Sequence, residues 1–345
     1  MKLTAPSRVI AIDLAKLVFQ VCVLSITGKL ESNREIKRDK LVDYMRQFEP
    51  CILAMEACFS AHYWGRIFET LGFEVRLVPP QHVKAFARTH KSDARDALAI
   101  AEACLRPNLH FVPIKSVAQQ DLQLCVRMRT RHVHARVAVA NQLRSFLAEY
   151  GVIVAKSLKN LRAGMPVLLE NDLLTPTARR VGAELYAELL ALDEKIALAD
   201  RVLVEALSPH PAYPRLKTVP GIGPVVAASL LAAVGTAQQF RNGRELAAWA
   251  GLVPRQTGSG GKTTLLGITK NGDRTVRTVL IHGARAVGRW CKQRTDPLGL
   301  WVNGIKGRRG HKRAIVALAN KIARFAYQVI AKGAEFDMHK AFGRA

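Results

Sequence analysis

Arg8-Val-Ile-Ala-Ile-Asp13 and Cys51-Ile-Leu-Ala-Met-Glu56 share one pattern, an apolar run that ends in an acid. Short apolar runs suit strands buried in a sheet, and a carboxylate ending such a strand is not expected from packing alone. Between them, residues 17–25 are rich in β-branched and apolar side chains, and Thr27-Gly28-Lys29 suits a hairpin turn into a third strand. Helices are expected over 40–48 and 61–71, and a strand over 73–78 closed by Pro79-Pro80. Ser92 reads as the N-cap of a helix running to Leu105, with Pro107 stopping it. Three strands, then helix, strand, helix, strand and further helices predict an α/β domain over residues 1–110.

Residues 116–150 lack Gly and Pro, and carry Arg127, Arg129, Arg131, Arg136 and Arg144 against two acids. A second helical stretch, 177–207, follows a loop containing Gly164, Pro166 and Pro176. The segment 111–208 is therefore a helical, coiled-coil-like region, serving as a spacer or oligomer contact, or else a plain helical subdomain. Beyond Ser208-Pro209 the texture turns to Gly, Pro and basic residues with short helices, which places a mostly α-helical third domain at 209–345.

The chain of 345 residues holds 52 Lys and Arg against 27 Asp and Glu, a net charge of +25. Such an excess points to a polyanion, because neutralising phosphates releases condensed counterions. From Gly251 to Ala345 there are nineteen Lys and Arg against Asp273, Asp296, Glu335 and Asp337, so most of the surplus sits at one end. Six scattered cysteines form no Cys-x-x-Cys pair, which argues against a zinc site or a disulfide framework. Without a signal core, and with Val225–Val234 too short to cross a bilayer, the sequence predicts a cytoplasmic protein with no membrane partner.

Asp13 and Glu56 end the first and fourth strands, which are neighbours in a ribonuclease-H-like sheet. Asp93 and Asp96, three apart, share a face of a helix expected to cross that sheet. Carboxylates crowded together stay ionised only with cations between them, and Mg²⁺ is the natural occupant. Asp93 and Asp96 are also explained as acids complementing the dipole of a first helical turn.

In the C-terminal part, Val219-Pro-Gly-Ile-Gly-Pro224 followed by an apolar helix reads as a helix-hairpin-helix element, with Gly221 and Gly223 allowing the tight turn and a phosphate at the next helix's N–H groups. An ordinary Gly-Pro turn between packed helices is the competing reading. Gly251-Leu-Val-Pro-Arg-Gln-Thr-Gly-Ser259-Gly-Gly-Lys262 is not a nucleotide-binding loop, because the first glycine of that motif is replaced by Gln256 and no strand clearly leads into it. It leaves Ser259 between glycines with Arg255, Lys262, Lys270, Arg274 and Arg277 nearby, cations suited to a phosphate. Composition alone reads it as a flexible basic loop.

These segments together resemble the DEDD-type insertion-sequence transposases, the "one-ten" family and its "one-eleven-eleven" branch, which includes related site-specific DNA invertases. The resemblance runs in order through Ala11-Ile-Asp13-Leu-Ala-Lys16, Met55-Glu56-Ala57, Lys91-Ser-Asp93-Ala-Arg-Asp96-Ala97, Pro220-Gly-Ile-Gly223, Gly251-Leu-Val-Pro254, Ser259-Gly-Gly-Lys262 and His282-Gly-Ala-Arg285. Many relatives carry two serines before the Gly-Gly, where this chain has Gly258 and Ser259. The resemblance implies a RuvC-like domain whose metal-binding tetrad is Asp13, Glu56, Asp93 and Asp96. It further implies a C-terminal domain whose Ser259 forms a covalent bond to DNA and frees a 3′-hydroxyl. The family is guided by a structured non-coding RNA and acts as a homo-oligomer, a dimer or tetramer, on donor and target DNA. Two rivals remain at this stage, a metal-dependent junction nuclease without a covalent intermediate, and a non-catalytic nucleic-acid-binding protein.

Overall fold

The computed structural model describes residues 8–86, 92–260 and 262–343; Lys91 and Gly261 of the motifs above, and the Ser259 side chain, lie outside the described set. The chain divides into two compact units, Met1–Ser116 and Val117–Ala345.

The first unit is built on β1 (Val9–Asp13), β2 (Val18–Leu24), β3 (Leu30–Lys37), α1 (Leu41–Met45), β4 (Ile52–Glu56), α2 (Ala61–Thr70), β5 (Glu74–Val78), α3 (Pro80–Val83) and α4 (Asp93–Cys104). The sheet order is β3-β2-β1-β4-β5, with β1–β3 antiparallel and β1, β4 and β5 parallel. β1 and β4 are thus neighbours. Alternation along the strands sorts the side chains onto two faces. Ile10, Ile12, Phe19, Val21, Leu53, Met55 and Leu77 pack with α1 and α2 on one face. Val9, Ala11, Cys22, Leu24, Ile52, Ala54 and Val78 pack with α4 on the other, where Ala97, Ala101 and small neighbours let the helix sit close. Ser92 occupies the N-cap position of α4, but its side chain makes no capping bond, and only its carbonyl serves, accepting from the Arg95 and Asp96 N–H groups.

The second unit begins with α5 (Val117–Glu149), α6 (Leu158–Leu168) and α7 (Pro176–Leu207). α5 and α7 run antiparallel, as the pairs Arg129–Asp200 and Arg136–Asp193 show. The loop expected around Gly164 and Pro166 is instead the helix α6. Ser157 caps it through the Asn160 N–H, and Leu161 and Met165 are fully buried, so packing overrides the weak local propensity of Gly and Pro. Asp193 staples the three helices, accepting 2.7 Å hydrogen bonds from Arg162 of α6 and a 3.0 Å bond from Arg136 of α5.

There follow α8 (Tyr213–Leu216), α9 (Pro224–Val234), α10 (Gly243–Trp249), β6 (Pro254–Ser259), β7 (Lys262–Ile268), α11 (Arg274–Trp290), α12 (Pro297–Arg309), α13 (His311–Lys332) and α14 (Met338–Phe342). Their core also takes Leu122 and Val126 from α5 and Leu203 and Leu207 from α7. By length and composition α13 could cross a membrane, but nine of its residues are buried in the unit's interior. Gly221, at φ +89°, turns the chain into α9 and lies against α11; a Cβ on Gly283 would stand 2.1 Å from the Gly221 carbonyl oxygen.

Two stability predictions follow from these contacts. Burial pushes the Asp193 carboxyl up, but the bonds from Arg162 and Arg136 outweigh it and hold the group below the usual carboxylate range. A depressed native pKa stabilises the fold above the unfolded value, about 3.9, and the benefit vanishes as pH falls through the native one. Asp193→Asn is expected to lower stability by about 2 kcal/mol at neutral pH, with the Tm gap to wild type closing below about pH 4 in calorimetry. Gly283→Ala is expected to cost about 2 kcal/mol or more through steric overlap, read as a lower denaturation midpoint with an unchanged slope.

Candidate active site

Asp13 continues the Val9–Ala11 parity and Glu56 the Ile52–Ala54 parity, so both acids leave the sheet on the α4 face. They follow the Ile12–Met55 pair by one residue on adjacent parallel strands. Asp93 and Asp96 stand in the first turn of α4, the helix that covers this face. The oxygens of Asp13, Asp93 and Asp96 lie within 4.8 Å of one another; Asp13 and Asp96 are half-buried and Asp93 is exposed. Among the described residues Glu56 stands outside that tight group. Its charge is nevertheless felt beside it: burial first, then the Glu56 and Asp13 carboxylates, push the Cys58 thiol up to about 11.

Three hard oxygen donors at one point, half-open to solvent, fit a divalent cation with room for water or substrate ligands. A set of carboxylate oxygens matches an ion that prefers oxygen ligands. The residue pattern therefore suits the metal that the resemblance implies.

Two positioning residues were not legible in the sequence. Gln20 pairs with Asp13 across β1 and β2, is 7 % exposed, and donates a 2.6 Å hydrogen bond to Asn33 on β3. Asn33 in turn donates 2.8 Å to the Ala94 carbonyl, between Asp93 and Asp96. This relay ties the first turn of α4 to the strand beside Asp13 and fixes where the helix acids stand. The one available signal was polar Gln20 inside an apolar strand.

The segment around Ser259, expected as a flexible loop with no strand, is a two-stranded ribbon. β6 and β7 pair antiparallel, with Gly258 opposite Thr263 and Ser259 opposite Lys262, and Gly260 at φ +57° begins the turn. Thr257, Thr263, Thr264 and Leu265 supply the strand propensity that the glycines obscured. A nucleotide-binding loop stays excluded, because the strand leads into another strand and not into a helix. Gly258 cannot carry a side chain here without shifting the ribbon: its Cβ would fall 2.3 Å from the Lys262 carbonyl oxygen.

Arg255, Lys262, Lys270 and Arg274 are exposed around this ribbon. Arg277 differs, because its guanidinium donates to the Ala250 and Asn271 carbonyls at 3.2 and 2.8 Å and clamps the ribbon's root. There the backbones meet closely, a Cβ on Gly272 falling 1.7 Å from the Trp249 carbonyl oxygen. Gly223 is the N-cap of α9 with open space around it, whereas Gly221 is committed to its contact with Gly283.

Comparison with known proteins places these features in a family. Residues 10–152 match a DEDD transposase model of the IS110 type, and residues 213–297 match the model described as "Transposase IS116/IS110/IS902 family". The chain is 43 % identical over 94 % of its length, and 96 % of the relative's, to a protein named "Probable family 20 transposase" from Pseudomonas aeruginosa. It is 40 % identical, over 94 % of itself and 90 % of the relative, to the "Transposase for insertion sequence element IS1111A" of Coxiella burnetii. It is 35 % identical, over 95 % of itself and 98 % of the relative, to the "Transposase for insertion sequence element IS1328" of Yersinia enterocolitica. The DEDD match implies a RuvC-like fold for the first unit, in keeping with its mixed sheet and crossing helix. By sequence over nearly its whole length, the chain belongs to the IS110/IS116/IS902 family of insertion-sequence transposases, enzymes that cut and rejoin DNA.

Proposed function

We propose that this transposase breaks DNA through a covalent serine–phosphate intermediate, with Ser259 as nucleophile and Asp13, Glu56, Asp93 and Asp96 as the holders of Mg²⁺. The observation that carries the reading is the convergence of Asp13, Asp93 and Asp96, from strand and helix, on one point of the sheet. Attack by the Ser259 Oγ on the scissile phosphorus forms an O–P bond and breaks the bond to O3′. A 3′-hydroxyl is released, and the proton lost by Oγ balances the one gained by O3′. When bound, the divalent ion supplies charge stabilisation to the phosphate oxygens.

The chain's own residues do the rest. Asp13 and Glu56 are fixed by the sheet, while Gln20 and Asn33 hold Asp93 and Asp96 in place through α4. Arg255, Lys262, Lys270 and Arg274 neutralise the backbone around the ribbon, and Arg277 keeps its root rigid. Gly221 and Gly223 shape the approach to the free N–H groups of α9, where a phosphate is held without sequence preference. Guidance by a structured RNA and assembly as a homo-oligomer in the cytoplasm belong to the same reading, supported by family membership and by the net charge of +25.

The decisive assay incubates the protein with candidate element RNA and supercoiled DNA carrying an element junction, then looks for a denaturant-resistant protein–DNA band. Ser259→Ala is expected to abolish that band while leaving DNA affinity intact, and an adduct persisting in this variant sinks the serine's role. Cleavage without an adduct in the wild type, dependent on Mg²⁺ and Asp13, points instead to a nuclease using activated water.

Asn33→Leu tests the relay. Outer-shell losses of this kind cost about 10–100-fold in metal affinity or activity. The expected signature is a higher Mg²⁺ requirement, with cleavage recovering as the metal is raised.

A further inference from the structure

The five arginines of α5 fall into two groups. Arg129 and Arg136 are ion-paired with Asp200 and Asp193, and Arg144 donates to the Ala140 and Ser157 carbonyls and to Asn141. Arg127 and Arg131 are exposed and, among the described residues, without an internal hydrogen bond or ion pair. With the exposed His134 they stand at i, i+4 and i+7, one ridge of the helix.

That ridge forms one wall of an open groove of about 330 Å³, which also takes Thr130 from α5 and Thr275 from the first turn of α11. A smaller cleft sharing Arg127 and Thr275 extends it to Gln123 and Ser229. The acid at this edge is Asp273, whose carboxylate is engaged in capping α11 through the Val276 N–H.

We infer that this groove seats the sugar–phosphate backbone of the DNA substrate. Its polar lining is rich in donors to anionic oxygen: two guanidinium forks, an imidazole, the Thr275 hydroxyl and the Gln123 side-chain amide, while the Thr130 and Ser229 hydroxyls are spent on carbonyls of their own helices. The ridge from Arg127 to His134 is about 10 Å long, enough to face more than one phosphate of a strand lying along it. The first turn of α11 adds the positive end of a 17-residue helix on the opposite wall. Thr275 directly follows Arg274, and Lys270 stands between the end of β7 and α11, so a strand lying in the groove continues along cations that lead to the ribbon. This continuity with the DNA-cutting ribbon favours DNA over RNA as the occupant. The ribbon's role in cutting rests on the proposed serine chemistry; the groove's charge and shape do not.

The test measures binding of the full-length protein to a fluorescent duplex spanning an element end, without divalent ion, across 50 to 200 mM salt (roughly the range over which phosphate contacts are read). Arg127→Gln/Arg131→Gln is expected to weaken binding about tenfold for any duplex sequence, and to reduce the salt slope by about 1 to 2. Its Tm should match wild type. Arg129→Gln, which loses the Asp200 pair, should show the reverse pattern, a lower Tm with an unchanged slope. Unchanged affinity and slope in the double variant at equal Tm overturns the assignment, as does a loss confined to an RNA probe. If the double variant proves unfolded, Thr275→Glu decides: a folded variant with wild-type DNA affinity overturns the assignment, and about tenfold weaker binding supports it. Loss of the covalent adduct in Ser259→Ala leaves this measurement untouched, so failure of the groove and failure of the nucleophile are told apart.

Discussion

Successive side chains of a strand point to opposite faces of its sheet, and that alternation organises the first unit. In β1 and β4 it sends Ile10, Ile12, Leu53 and Met55 to the face covered by α1 and α2, and Asp13 and Glu56 to the face covered by α4. A shift of one residue in either strand would bury an acid among Trp64 and Phe68, where an unpaired carboxylate is costly. The apolar pattern that builds the core therefore also aims the acids. Asp93 and Asp96 meet Asp13 because the alanines of α4 let its backbone lie close to the sheet, and because Asn33 grips its first turn.

Much of this was legible in the sequence, since it depends on local periodicity and on where acids end apolar runs. The strands, the first turn of α4 and the long helices follow from patterns a few residues long, whereas the adjacency of β1 and β4 was expected from likeness to a ribonuclease-H-like sheet. What escaped depends on partners distant in the chain. Gln20, Asn33 and Ala94 are joined only once three elements have folded together. α6 contains Gly164 and Pro166, which argue locally for a loop, and is held by Asp193 and by buried Leu161 and Met165. The ribbon was hidden for a different reason: its glycines, read as looseness, permit the turn and the close cross-strand approach at Gly258. Arg277 looked like one more surface cation until its two carbonyl partners showed it to be a clamp.

The second unit solves a different physical problem, carrying a large positive charge without scattering its own core. Part of the charge is matched internally, as in the Asp193 and Asp200 pairs and in the contact of Arg294 with Asp296 beside α12. Some is spent on carbonyls, as at Arg277 and Lys321, and much of the remainder is displayed on exposed positions while α9, α11 and α13 bury apolar faces against one another. Backbone contact between Gly221 and Gly283 brings the hairpin and α11 closer than any larger residues allow. Charge on the outside and tight apolar packing inside let one unit be both a stable body and a strongly positive surface.

The residues of β7 from Lys262 to Gly267 are all exposed, so the ribbon contributes little apolar burial and leans on its root for support. Mutational tolerance should therefore be uneven along the chain. Changes toward the ribbon's end leave the fold standing, whereas changes at Gly251, Gly272 or Arg277 compromise the scaffold itself. In such a projection, sequence novelty and foldability are separable.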